Sequence, residues 1–318
     1  MIILSHSTWG PFMNKDEVRH FRAALREMVR ELGMLSRKSS GTELSPLQSH
    51  ILIELNTKPL GATELSAKLC VDKASMSRTL RNLMETGYLV RDHDEQDGRA
   101  STFRLSDSGK QRLLTLEENA DKFMEEALAS SADDEIQTFI ETIKRFSRSL
   151  HNARRQREAE LTFRPIEAQD NAAIAEIIRK SFFENKIAHL KGVSLHDPEL
   201  DHLSEVYNEP GTGYWIAEAN GRIVGGAGLA PLKGEKDVCE MQKLYFTREV
   251  KGMGMGRRMI AFIITQAKAM GYKFCYLETL DELKDAVHLY EAFGFRHLSE
   301  RMGNTGHNSC GICMIKKL

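Results

Sequence analysis

Cys239–Arg258 reads CEMQKLYFTREVKGMGMGRR. Residues 239–246 carry β-formers with alternation; Gly252, Gly254 and Gly256 follow, and Met259–Met270 then places apolar residues at helical spacing. A strand that runs through a glycine-rich turn into a helix leaves backbone N–H groups uncovered at the helix N-terminus. Hydrogen bonding and the helix dipole both favour a pyrophosphate there. From Arg248 on, Arg248, Lys251, Arg257 and Arg258 stand against Glu249, so the loop is locally basic. It predicts an anion site whose grip is Lys251, Gly252, Met253, Gly254, Met255, Gly256 and Arg257.

Which anion depends on the motif. A Rossmann fingerprint needs its glycines after the first strand of a βαβ unit and an acidic residue about twenty positions on. Glu278 ends the next apolar run, YKFCYLE, so spacing alone leaves that reading open, although the glycines come late and alternate as G-M-G-M-G. A Walker A loop requires Gly-Lys-Ser/Thr, and Gly256 is followed by Arg257, which excludes it. Lys251–Gly256 after a strand, with Leu289-Tyr-Glu-Ala-Phe-Gly-Phe295 downstream, resembles the acetyl-CoA-binding core of the GCN5-related N-acetyltransferases (GNAT) over Leu161–Leu318. The sequence departs from the family pattern in carrying Lys251 at the head of the loop and Leu283 where many members have an Asn.

That resemblance implies acetyl-CoA as acyl donor, no metal, and a small-molecule amine as acceptor. An alkylammonium must lose a proton before it attacks a thioester, and the departing thiolate must gain one. Glu240 on the strand is the candidate base. Tyr290, matching the family's Leu-Tyr-x-x-x-Gly-Phe motif, is the candidate acid. Backbone N–H groups from Leu244, Tyr245 and Phe246 are expected to hold the pantetheine arm and polarise the carbonyl.

The chain has 318 residues, 41% apolar and 28% charged, enough for two domains with cores of their own, and its net charge of −1 gives no global attraction to nucleic acid. Met1–Phe12 lacks a basic region and a long apolar run, so neither a signal peptide nor a membrane span is expected, and the protein is predicted to be cytoplasmic with no membrane partner. Five scattered cysteines do not make a disulfide framework, and Cys310-Gly-Ile-Cys313 has no second pair for a metal. His189, His196 and His202 among acids also lack regular ligand spacing.

Asp16–Arg37 carries an apolar stripe at Val18, Phe21, Leu25, Met28, Leu32 and Leu35. Ser45-Pro46 starts a second helix, and helices over Thr63–Leu69 and Lys73–Thr86 flank a tight turn at Val71-Asp72. That layout is a helix-turn-helix. After Gly87, two β-like runs surround Asp97-Gly98, a hairpin signal that makes the motif winged. SMSRTLRNLMETGYLVRDHDEQDGRASTFRLSDSGK closely resembles the MarR family of regulators, the likeness running over residues 14–155. The family likeness implies a homodimer through the first and last helices, Asp16–Arg37 and Asp133–Arg157. Lys73, Ser75, Ser77, Arg78, Arg81 and Asn82 on the second helix and Arg99 at the wing tip are the candidate contacts to double-stranded DNA.

The expected architecture is thus two-domain: a mainly α winged helix-turn-helix over 1–158 and an α/β (α+β) acetyltransferase domain with a central mixed sheet over 159–318, joined by a helical, semi-rigid connection. The functional expectation is a fused regulator and N-acetyltransferase; the alternative is a transcription factor that senses acyl-CoA or a metabolite without turnover.

Overall fold

The computed structural model describes residues 14–36, 41–93, 101–190, 192–303 and 310–318. Arg99, the Asp97-Gly98 turn and Met1–Phe12 lie outside the described residues. Contacts divide the chain into two compact units, one ending at Phe139 and the other beginning at Ile140.

In the first unit, Asn14 and Glu17 form a capping box that starts α1 (Lys15–Glu31). The apolar stripe continues to Leu35, but the helix stops at Glu31 because Gly33 adopts a φ of +67°. Ser45 and Gln48 box the start of α2 (Pro46–Leu55), whose first residue is proline. β1 (Leu60–Gly61) leads to α3 (Ala62–Leu69), which Cys70 ends in the left-handed region; Asp72 then caps α4 (Lys73–Glu85) by accepting from the Ser75 N–H. β2 (Leu89–His93) and β3 (Ser101–Leu105) complete a small sheet in the order β1-β3-β2, with Leu89 opposite Leu105 and Leu60 opposite Phe103.

Ser106 caps α5 (Asp107–Leu128), so this helix begins a turn and a half before the apolar period that starts at Leu113. Gly109 in its first turn is required by space: a Cβ there would lie 2.1 Å from the Tyr88 carbonyl oxygen. Ile51, Leu52, Leu65, Met76, Leu80, Leu83 and Leu89 fill the core. Each such aliphatic side chain contributes on the order of 1.5–3 kcal/mol on burial. α6 (Asp133–Glu158) is a continuous helix that passes the division between the units.

The second unit is a mixed sheet of seven strands in the order β4-β5-β6-β7-β8-β10-β9. Along the chain these are β4 (Thr162–Pro165), α7 (Asn171–Glu184), α8 (Leu203–Val206), β5 (Gly213–Ala219), β6 (Arg222–Pro231), β7 (Val238–Phe246), α9 (Met255–Ala269), β8 (Phe274–Thr279), α10 (Lys284–Ala292), β9 (Arg296–His297) and β10 (Ile312–Lys317). Asn220 and Gly221 turn the β5–β6 hairpin with φ of +50° and +71°, as an Asn-Gly turn should. Cys239 and Met241 of β7 face a core shared with α9, while α7, Tyr207 and Tyr214 build a second core.

Two irregularities shape the middle of the sheet. β7 and β8 are its parallel pair and are in register at Val238/Phe274, Cys239/Cys275 and Glu240/Tyr276. β7 then runs on to Phe246 without further pairing to β8 among the described residues, so the strands part along Met241–Phe246. On the other side, Gly226 pairs Tyr245 while Gly228 pairs Gln242, and Lys243 has a φ of +51°. This is a bulge with its extra residue on β7. No described helix is long and apolar enough to cross a membrane.

Candidate functional site

The glycine loop opens where β7 has left β8. Arg248–Val250 makes one 3-10 turn, and Lys251 N–H and Met253 N–H are spent on the Arg248 and Val250 carbonyls. Gly252 and Gly254 hold φ of +77° and +75°, and Gly254 is the N-cap of α9. The helix therefore begins at Met255, a turn earlier than its apolar period, with Gly256 inside the first turn. First-turn N–H groups have no partner within a helix. Those of Met255, Gly256 and Arg257 form the rim of the cradle with the glycines. Nothing lies within 4 Å of a Cβ built on Gly252, so the loop is open there. Lys251 and Arg257 are exposed beside it, Lys251 paired with Asp285 at 3.5 Å and Arg257 resting on the Phe293 ring at 5.3 Å. Met253 and Met255 turn inward and anchor the loop in the α9 core.

Of the three residues at the open end of β7, Leu244 and Phe246 pack toward α9 and Tyr245 packs toward α7, its ring 5.5 Å from Phe182. Glu240 is buried at 4% exposure. It accepts from Gln242 Nε2 at 2.5 Å, and Gln242 Oε1 accepts from the Tyr207 hydroxyl at 2.6 Å. Lys243 pairs with Asp197 beside them. Glu240 thus sits in a polar chain on the α7 face, opposite the face that packs α9. Tyr290 lies on α10, 7% exposed, with its ring 5.9 Å from Phe295. Burial raises its phenol above the ordinary value, and burial likewise raises that of Tyr245. A phenol held protonated can donate a proton but is a poor base.

On the other unit, Met76, Leu80 and Leu83 bury one face of α4. Lys73, Ser77, Arg78, Arg81 and Asn82 are exposed and Ser75 is half-buried. Arg78 Nη2 donates to Ser75 Oγ at 3.2 Å, and Asn82 Oδ1 accepts from Gln48 Nε2 at 2.6 Å, which ties its side chain to α2. A cleft of about 540 Å³ is lined by α3, α4 and the small sheet, Ser77, Arg81 and Arg91 among them.

Two family models match the chain: the acetyltransferase (GNAT) family over residues 171–295 and the MarR family over residues 44–101. The N-acetyltransferase YjgM of Escherichia coli is 44% identical over 156 residues, which cover 49% of this chain and 93% of that protein. The chain belongs to the GNAT acetyltransferase family. In the other half, residues 44–101 match the MarR family model, and the HTH-type transcriptional regulator YdgJ of Bacillus subtilis is 24% identical over 128 residues, 40% of this chain and 77% of that protein. A solved GNAT-family acetyltransferase from Staphylococcus aureus matches at 19% identity and a TM-score of 0.45, covering 49% of this chain and 98% of that one.

Around the GNAT core the structure adds residues that the sequence did not single out. Tyr207 and Gln242 extend Glu240 into a chain, Asp197 meets Lys243, and Gln156 of α6 reaches the glycine loop. The cysteine pair is divided: Cys313 sits in a small core with Tyr276, while Cys310 packs against the α7 core, its thiol pushed up to about 12 by burial. Among the described residues no group of three or more His, Cys, Asp or Glu is gathered as a metal would require.

Proposed function

We propose that the chain is a dimeric regulator and enzyme in one, whose MarR unit binds double-stranded DNA and whose GNAT unit moves an acetyl group from acetyl-CoA to the amine of a small acceptor. The observation that carries the enzymatic half is the parting of β7 from β8 beside a glycine loop that delivers uncovered N–H groups at the start of α9. A pyrophosphate fits that loop: two left-handed glycines, first-turn amides and exposed Lys251 and Arg257 supply donors and positive charge. The bound donor supplies an activated thioester. Backbone groups of Leu244, Tyr245 and Phe246, left unpaired to β8, hold the arm and polarise the carbonyl.

Glu240 takes the proton from the attacking amine as the C–N bond forms, directly or through water, and Tyr290 gives a proton to the sulfur as the C–S bond breaks. Solvent restores both. The buried Tyr207–Gln242–Glu240 chain fixes the carboxylate's orientation.

Release of thiol from acetyl-CoA against a panel of amines and amino acids, with Tyr290→Phe beside the parent, tests this. Turnover that the variant loses supports the enzyme; acetyl-CoA binding without turnover on any acceptor makes the unit a sensor. On the DNA side, Lys73, Ser75, Ser77, Arg78, Arg81, Asn82 and Arg99 are proposed contacts. Arg78→Ala should weaken binding to a retained genomic fragment and flatten the salt slope by about one unit. Residues 1–158 and 159–318 are proposed as the functional boundaries.

A further inference from the structure

Gln156 is the buried residue of the 26-residue helix α6, at 5% exposure. A carboxamide is buried at low cost only when both ends are hydrogen-bonded. Here Gln156 Nε2 donates to the Met253 carbonyl at 2.5 Å, and Gln156 Oε1 accepts from Arg258 Nη1 at 2.7 Å. Met253 is the centre of the glycine loop and Arg258 lies one turn into α9, so a single side chain ties the loop to the helix it feeds. Asn152 is one turn earlier on the same face of α6. A Cβ built on Gly254 would stand 3.0 Å from Asn152 Nδ2 and 3.3 Å from Gln156 Nε2, so the loop glycine rests against both amides.

The end of α6 is itself fixed. Leu161 N–H returns to the Gln156 carbonyl at 3.0 Å, Glu160 turns with a φ of +46°, and the Ala159 carbonyl accepts from the Asn220 N–H at 2.8 Å in the β5–β6 turn.

We infer that Gln156, backed by Asn152, is a positioning residue of the cofactor site, supplied by the helix that leads to the MarR unit. The inference rests on the reading of the glycine loop as an acyl-CoA phosphate grip. In a trans peptide the C=O and the following N–H point in opposite directions. Holding the Met253 carbonyl toward α6 therefore turns the Gly254 N–H away from α6, and keeps a carbonyl dipole from facing the phosphates. By reciprocity, an anion that requires this peptide orientation strengthens the contact to Gln156. Cofactor occupancy is thereby transmitted to α6 without any change in the winged helix itself.

The test uses the full chain and coenzyme A. Gln156→Met keeps the volume and loses both polar contacts; Gln156→Glu keeps the acceptor for Arg258 and loses the donor. Both should raise the Kd for coenzyme A about tenfold, and raise KM for acetyl-CoA while kcat stays within about twofold. Tyr290→Phe should show the opposite split. In the parent, amide hydrogen exchange over residues 150–158 should slow when coenzyme A binds, a readout that needs no variant. Parent-like Kd in both Gln156 variants, or protection at 252–258 with none at 150–158, overturns the inference alone. A parent that does not bind coenzyme A overturns the reading of the loop, and this inference with it.

Discussion

At the scale of single residues the proposed chemistry turns on what burial does to Tyr290. Burial disfavours the phenolate, so Tyr290 stays protonated through the range in which a free phenol would begin to ionise. Tyr290→Phe removes only the hydroxyl and leaves the ring against Phe295, so acyl-donor affinity should hold while kcat falls by roughly 10²–10⁴, the span typical of a positioned general acid. Steady-state rates and calorimetry with coenzyme A separate the two effects. The sign for pH follows from the same shift. A raised folded pKa means the acid is fully present below the ordinary phenol value of about 10, and its loss comes only above it. No fall in kcat between pH 8 and about 10 should therefore trace to this group; a descending limb in that window that Tyr290→Phe abolishes would remove Tyr290 from the role. Glu240→Gln should lower the rate most at low pH, where amine deprotonation is hardest, and a flat ratio to the parent across pH would assign the base elsewhere.

At the scale of elements, β4, β5 and the start of α7 are tied by one arginine. Arg164 donates to Asp170 at 2.5 and 2.9 Å and to Glu218 at 2.8 Å, and Asp170 also accepts from the Glu167 N–H. The Arg164 hydrogen bond holds the Asp170 carboxyl below its ordinary value. A depressed folded pKa gives stability that is present above the unfolded value and is lost as pH falls through the folded one. Asp170→Asn should cost about 2 kcal/mol at neutral pH, less than a fully buried pair because Arg164 remains 27% exposed. The gap to the parent should be constant above about pH 6 and close below about pH 4. Urea unfolding followed by the fluorescence of Trp215, whose strand pairs with β4, measures it.

Elements specified by residues close together in the chain were legible in the sequence. The glycine spacing announced the loop, capping residues announced α2 and α4, and Asn220-Gly221 announced its hairpin, because each depends on neighbours in sequence. Gln156 stood in an arginine-rich helix end that reads as solvated, and its burial depends on Met253 and Arg258 about a hundred residues away. The Lys243 bulge was equally silent. Alternation through MQKLYF gives no sign that a lysine takes a positive φ, which belongs to a bulge in the pairing of β7 with β6.

At the scale of the whole molecule, the helix that folds with least help is α1. It has a full capping box and an apolar stripe, yet none of its residues is buried: Val18, Phe21 and Met28 are 41%, 43% and 40% exposed. Isolated helices of this length are marginal, because the cost of ordering them is met by packing an apolar face. Phe139, Ile143 and Leu150 of α6 are exposed to a similar extent. A second copy of the chain covers such stripes in the proposed homodimer, and two winged helices then meet two half-sites of one duplex, each at a major groove one helical turn apart. Replacing Phe21 and Met28 together by Asp places charge in that contact while leaving the buried cores untouched. Light scattering should then report a monomer where the parent is a dimer, and DNA affinity should drop by well over tenfold because the second recognition helix no longer shares the site. Thiol release from acetyl-CoA should stay within about twofold of the parent, since the glycine loop, Glu240 and Tyr290 all lie within one unit. A parent that is monomeric at micromolar concentration, or a double variant that binds DNA as tightly as the parent, would refute the dimer as the DNA-binding form. Loss of acetyl transfer along with dimerisation would mean instead that the partner's helices also support the α6 contact to the glycine loop.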